Sequence, residues 1–315
     1  MRNIGYTFVL LCFITLGSVH FAEASTMSVS DNDSSRTRLV MLGAGNPNPD
    51  PENSGPAVAV VVGGRAYLVD AGPGLVRRAA AMSPRFGGSI PALAAANLTH
   101  VFLTHLHSDH TLGLPDLMLT PWVMGRDTPL QVFGPEGTAQ MVSHLLDAYR
   151  EDIQYRRFGS EPANDQGWRS EVHEIDEGVV YRDSLVTVEA FRVPHGTWPV
   201  SLAYRFTTAD RVIVVSGDAR PCEKIEEIAS GADVLVHEVY YAKGLEDRRR
   251  ADWNAYHQAH HTSTIELGRI AAKARPKVLV LYHVLYWGAG EEELLQEVGS
   301  VYDGAIVVGK DRGIY

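Results

Sequence analysis

"THLHSDH", residues 104 to 110, packs three of the chain's 13 histidines and an aspartate into seven positions. His105 and His107 are two apart, so on an extended segment both side chains point the same way. Asp109 and His110 follow Ser108, where "LTHLHSDHTLGLPDL" changes from a strand pattern to a helical one. One short loop thus offers two imidazoles to one ion and a carboxylate with an imidazole to a neighbour. These are the ligand types Zn(II) takes when chemistry needs an open coordination position. A single histidine at a strand end is ordinarily a polar loop residue, whereas His-x-His-x-Asp-His after an apolar strand is a far more specific pattern.

Four residues cannot complete two sites, and the missing donors are expected at other strand ends. His195 in "FRVPHG", Asp218 in "VVSGDA" and His283 in "LVLYHV" each end or closely follow an apolar run. Asp70, at the end of "AYLVD", is the natural hydrogen-bond partner for a ligating histidine. The strand signals are short β-branched runs bounded by Gly, Pro or Asp: "RLVML" at 38, "AVAVVV" at 57, "HVFLTH" at 100 and "LQVFG" at 130. A helical pattern starts at Gly137 in "GTAQMVSHLLDAYRED", with Met141, Leu145, Leu146 and Tyr149 on one stripe. The second half repeats this style, with strands in quick succession and then strand alternating with helix. Such an order implies an α/β fold with two sheets face to face and helices outside.

The N-terminus has a basic residue at Arg2, an apolar run from Ile4 to Val19 and a small-x-small end at Ala22-Glu23-Ala24. Residues 1–24 read as a secretory signal, residues 25–36 as a flexible polar linker, and residues 37–315 as a single hydrolase domain. The expected location is periplasmic or secreted, with no stable membrane span once the signal is cleaved. Of two cysteines only Cys222 then survives, so no internal disulfide forms, and a lone cysteine is ordinarily a small buried hydrophobe. The formal charge of −10 repels polyanions. The basic run Arg248-Arg249-Arg250 is flanked by acids and reads as a solvated helix face, so nucleic acid is not the expected partner.

Taken together, "YLVDAGPG" at 67, "THLHSDH" and "HSDHTLGLPDL" resemble the metallo-β-lactamase fold superfamily, in particular its ribonuclease Z and arylsulfatase-like branch. The resemblance runs from about Arg38 to the C-terminus and implies a four-layer αββα sandwich. It also implies two zinc ions per chain: one held by His105, His107 and His195, the other by Asp109, His110 and His283, with Asp218 bridging. "LVHEVY" and "HHTSTIELGRIAAKA" are similar to a pair in ribonuclease Z-like enzymes in which a Glu orients a proton-donating His; Glu238 and His261 match it, with His260 as a weaker substitute. In physical terms, a carboxylate fixes an imidazole's tautomer and raises its pKa. The resemblance carries a homodimer as a further expectation, for which the sequence itself shows no interface.

The function expected from these residues is an exported dinuclear zinc hydrolase in which a metal-bridging hydroxide, oriented by Asp109, cleaves small phosphodiester or sulfate esters while His261 protonates the leaving oxygen. Alternatives are a lactone or β-lactam hydrolase, a ribonuclease Z-like phosphodiesterase on RNA, and a metal-binding protein without turnover. Asp218 argues against a true β-lactamase, and His107 argues against the di-iron flavoproteins of this fold. Residues 150–169, "REDIQYRRFGSEPANDQGWR", read either as a substrate-binding arm or as a lid with Tyr155, Phe158 and Trp168 facing a small organic substrate.

Overall fold

In the central strands of this chain both faces are apolar, so each of them must be covered twice. Leu39 and Met41 of β1 (Arg38–Gly43) belong to one core, while Val40 and Leu42 between them belong to another. Period-2 side-chain geometry sends alternate residues to opposite faces, and unbroken apolar runs mark strands buried on both. A computed structural model describes residues 36–246 and 251–315. The signal at 1–24, nearly all of the linker at 25–36 and the run Arg248-Arg249-Arg250 lie outside the described residues.

The first sheet runs in sequence order through β1, β2 (Ala57–Val62), β3 (Arg65–Val69), β4 (His100–Phe102), β5 (Leu130–Gly134) and β6 (Ser170–Glu174). Its first three strands are antiparallel and the rest pair in parallel. The second sheet comprises β7 (Gly178–Arg182), β8 (Thr187–Val193), β9 (Ser201–Thr207), β10 (Val212–Val215), β11 (Val234–Tyr240), β12 (Val278–Leu285) and β13 (Ile306–Val308). It also begins antiparallel and becomes parallel from β10 onward.

The core between the sheets contains Tyr67, Phe102, Tyr204, Phe206 and Tyr282 with β-branched residues from both. Outside the first sheet, the short α2 (Ser108–Thr111) follows the histidine loop, and α1 (Leu75–Ala81), α3 (Leu114–Val123) and α4 (Thr138–Ala148) bury their apolar stripes. Outside the second, α6 (Glu223–Ile228), α9 (Thr264–Ala274) and α10 (Glu291–Gly299) do the same. The expected αββα sandwich is therefore the observed architecture.

Two local readings differ from the structure. The helix expected from Gly137 onward is two helices, α4 and α5 (Arg150–Phe158), meeting at Tyr149, whose φ of −99° and ψ of 16° leave the helical region. Met141, Leu145 and Leu146 pack on the core, but Tyr149 is exposed. The strands β6 and β7 are legible only in the structure, because each is a sheet edge whose charged, half-exposed residues obscure the alternation. Cys222 is free and half-buried against the outer core of the second sheet.

The turn after "THLHSDH" is held by close backbone approach. The Gly113 amide donates to Ala71 O at 2.8 Å, and the Ala71 amide donates to His110 O at 2.8 Å. A Cβ at Gly113 would sit 2.3 Å from Gly72 O. Gly113→Ala is therefore expected to cost roughly 1–3 kcal/mol and to lower the melting temperature by several degrees. Calorimetry showing an unchanged transition would contradict this packing.

Candidate metal centre

The parallel strands of both sheets end at one rim, as ligand-binding ends of open α/β sheets do. After β3, Asp70 adopts φ 61°; after β10, Gly217 adopts φ 59°; and in β12, His283 adopts φ 48°. Left-handed backbone at a non-glycine residue costs energy and persists only where the surroundings enforce it. At His283 the enforcement is visible. Tyr282 pairs with Glu238 and Val284 with Val239, so His283 is the extra residue of a bulge, and its amide donates to Ala44 O at 2.9 Å. The bulge re-aims the imidazole out of the ladder towards the rim.

The residues expected from sequence meet there. His105 Nε2 lies 2.9 Å from His107 Nδ1, and His195 Nε2 lies 3.3 Å from the same atom. Asp109 Oδ2 is 3.4 Å from His110 Nε2 and 3.2 Å from His283 Nε2. Asp218 sits between the groups: its Oδ1 is 3.3 Å from His110 Nε2, and its Oδ2 is 3.6 Å from His283 Nε2 and 4.0 Å from His195 Nε2. A tetrahedron of ligands with Zn–N near 2.0 Å has edges of about 3.3 Å, and the distances here, from 2.9 to 4.0 Å, bracket that value.

A polar cluster without an ion would satisfy its own donors. Here His110 Nε2, Asp218 Oδ1 and His261 Nδ1 are buried and make no hydrogen bond, although they lie close to one another's neighbours. His110 Nε2 and Asp218 Oδ1 thus lie 3.3 Å apart without a hydrogen bond, as two ligand atoms of one ion would. This arrangement fits a metal site, and His105, His107, His195 and Asp218 form one four-donor group while Asp109, His110 and His283 form another.

The far nitrogens are held as well. His110 Nδ1 is 2.8 Å from Asp70 Oδ2, His105 Nδ1 is 3.0 Å from Thr104 Oγ1, and His195 Nδ1 is 2.8 Å from His260 O. Each bond turns Nε2 inward. Asp70 also accepts from the Thr104 amide at 2.8 Å, which ties the end of β3 to the start of the His-rich loop.

Protonation divides the set. Burial keeps His105 and His107 below the usual imidazole value and brings His195 down to about 4, so all three stand neutral with a lone pair to give. Burial opposes charge on His110 and His283 too, but Asp218 and Asp70 outweigh it for the first, and Asp218 with the Asp109 hydrogen bond for the second. Burial likewise works against ionised Asp218, yet His283 and His110 hold it well below the ordinary carboxylate range.

Glu238 and His261 are both buried beside this cluster, with Glu238 Oε1 3.4 Å from His261 Nδ1 and accepting the Thr262 amide at 3.1 Å. The expected pKa rise on His261 is not found. Burial comes first and, with repulsion from His283 and His110, brings His261 to about 4, while burial and Asp218 push Glu238 well up. In the metal-free fold the pair's proton therefore rests on the carboxyl.

Two aromatic residues absent from the sequence reading border the site. The Trp198 ring lies 4.0 Å from that of His107. Tyr256, on α8 (Ala251–His260), stacks on His260 at 4.0 Å. No periodic signal marks them, because each sits in a loop or on a helix of mostly exposed residues. In 150–169, Arg157 lies 4.6 Å over Phe158 and 5.0 Å over Trp168, while Tyr155 and Phe158 remain exposed.

A beta-lactamase superfamily domain matches residues 65–284, and the chain belongs to that metallo-β-lactamase-fold family. Within it, the chain stands in the ribonuclease Z branch. It is 36% identical to a ribonuclease Z of Mycobacterium sp. strain KMS over 74% of this chain and 78% of the relative. It is 34% identical to the ribonuclease Z of Mycobacterium bovis over 82% and 90%. Among solved structures, human tRNase Z short form aligns with a TM-score of 0.64 at 20% identity, covering 88% of this chain and 98% of that one. The metallo-beta-lactamase fold protein YhfI from Bacillus subtilis aligns at 0.65 and 20%, covering 89% and 99%. These relatives run against the expectation that set nucleic acid aside on net charge.

Asp218 and its neighbours favour the protonated forms of His110 and His283, so a cation binding there competes with protons. Zinc affinity is expected to fall as pH is lowered from 8 to 6, with proton release measurable by calorimetry in buffers of different ionisation enthalpy. Asp70→Asn is expected to weaken metal binding at the Asp109, His110 and His283 group by roughly 10–100-fold. Affinity indifferent to pH and to this substitution would contradict the donor assignment.

Proposed function

We propose that the chain is a metal-dependent phosphodiesterase of the ribonuclease Z kind, with RNA as its leading substrate class. The observation that carries this reading is the convergence of seven donors at tetrahedral spacing beside a buried Glu–His pair. In this reading His105, His107 and His195 hold one zinc ion, Asp109, His110 and His283 hold a second, and Asp218 is shared. Ions bound there supply Lewis acidity towards phosphoryl oxygens and activate water at neutral pH.

The chain's own groups do the rest. Asp109 accepts a hydrogen bond from the attacking water and so orients it. His261 gives the proton on its outer nitrogen to the departing oxygen, and Glu238 passes its own proton to Nδ1, so the pair moves one proton with no net charge built on the imidazole. Burial of both groups makes this relay preferable to an isolated imidazolium.

A second reading, small phosphate or sulfate esters, draws on the surface. All three arginines of α5 are paired, Arg150 with Asp147, Arg156 with Asp152 and Glu161, and Arg157 with Asp165, in a chain of net charge −10. Paired cations give little to a polyanion's backbone. Export fits this second reading, and N-terminal sequencing of the secreted protein would read cleavage after Ala24.

Leaving groups test the mechanism. Nitrophenolate departs without a proton and a ribose alkoxide does not, so His261→Ala is expected to slow a short RNA about 10²–10⁴-fold while sparing an aryl nitrophenyl phosphodiester. Equal effects on both would remove the acid role. A zinc-loaded wild type that hydrolyses neither, yet opens sulfate esters or lactones, would overturn the phosphodiesterase reading.

A further inference from the structure

Tyr256 is a polar group at the mouth of the cluster that the mechanism above does not use. It lies on the last turn but one of α8, and the end of that helix is docked on the loop carrying His195. The Gly196 amide donates to Ala259 O at 2.9 Å, and His195 Nδ1 lies 2.8 Å from His260 O. The tyrosine ring is fixed within this joint. It stacks on His260 at 4.0 Å and 22°, presents itself edge-on to His261 at 6.3 Å, and its own carbonyl accepts from His260 Nδ1 at 2.8 Å. The ring is therefore tied to the same short segment that carries both a candidate ligand's support and the candidate acid.

Its hydroxyl makes no hydrogen bond to a described residue, and the side chain is 38% exposed. Burial of the ring, followed by the charges of Asp218 and Asp109, raises the phenol's pKa. The ring lies edge-on to His261, whose Nδ1 is 3.9 Å from Asp218 Oδ2, so the phenol borders the centre and burial favours its protonated form there. A fixed, protonated, unpartnered donor at the edge of a site built for an anion is arranged before the ligand arrives, which is what electrostatic stabilisation requires.

We infer that the Tyr256 hydroxyl donates a hydrogen bond to a non-bridging oxygen of a phosphate group seated at the His/Asp cluster, a contact that rests on the phosphodiesterase reading for its place in catalysis. The ring's stack on His260 positions the donor, and the non-bridging oxygen it meets gains negative charge as the nucleophile adds to phosphorus.

The test compares wild type, Tyr256→Phe and Tyr256→Leu, all zinc-loaded and matched for metal content. Inorganic phosphate binding is measured by calorimetry, and kcat and KM on an aryl phosphodiester by absorbance. Tyr256→Phe keeps the ring and loses only the hydroxyl, so it is expected to weaken phosphate binding about tenfold, as for a hydrogen bond to a charged group, and to lower kcat more than it raises KM. Wild-type phosphate affinity and kcat in Tyr256→Phe, with losses only in Tyr256→Leu, would overturn the inference and leave a packing role. A wild type that turns over no phosphodiester, with phosphate binding still weakened in Tyr256→Phe, would sink the phosphodiesterase reading while upholding the contact.

Discussion

One buried carboxylate holds the rim in place. Asp70 is 1% exposed, adopts a left-handed backbone, and accepts from the Thr104 amide, the Thr104 hydroxyl and the His110 ring. A buried charge is tolerated only when fully partnered, and here its partners belong to the loop that carries four of the seven donors. Removing one partner would leave the others facing an uncompensated charge, so the histidine loop and the end of β3 must be built together. Across the gap, Leu202 N donates to Thr104 O and Tyr204 donates to Leu103 O at 2.7 Å, which brings the second sheet's strands to the same point.

The electrostatics follow from that enclosure. Burial favours neutral imidazoles at His105, His107 and His195, while Asp218 and its neighbours favour charge on His110 and His283. Unfilled, the cluster balances carboxylates against protons; filled, it balances them against metal charge. The same burial shifts the Glu238–His261 proton to the carboxyl, a result that the simple idea of a carboxylate raising a nearby imidazole's pKa misses. Desolvation of the imidazole and the neighbouring positive charges are larger effects than the attraction.

Much of this was legible in the chain. His195, Asp218 and His283 stand out because each ends or closely follows an apolar run, His105 to His110 share one loop after β4, and strand ends converge in an α/β sandwich. Asp70 was readable for the same reason. What escaped was whatever depends on a partner far away in sequence. The bulge at His283 exists only opposite Glu238 and Val239. Trp198 and Tyr256 belong to segments with no periodic burial, and only the docking of α8 on the His195 loop brings Tyr256 to the rim. The break at Tyr149 is a backbone event inside a sequence with a continuous helical pattern. Net charge spoke only about the surface, and it pointed away from the nucleic-acid-processing relatives that the comparisons found.

The donors are divided between the two layers: His105, His107, Asp109 and His110 follow a strand of the first sheet, and His195, Asp218 and His283 come from the second. An ion shared by these groups would therefore be a covalent-strength rivet between sheets that otherwise meet through apolar packing and a few hydrogen bonds. Cys222 is free, and no disulfide serves that purpose among the described residues. The chain's mechanical integrity and its chemistry would thus depend on the same atoms, and metal scarcity would shorten the molecule's lifetime as well as silence it.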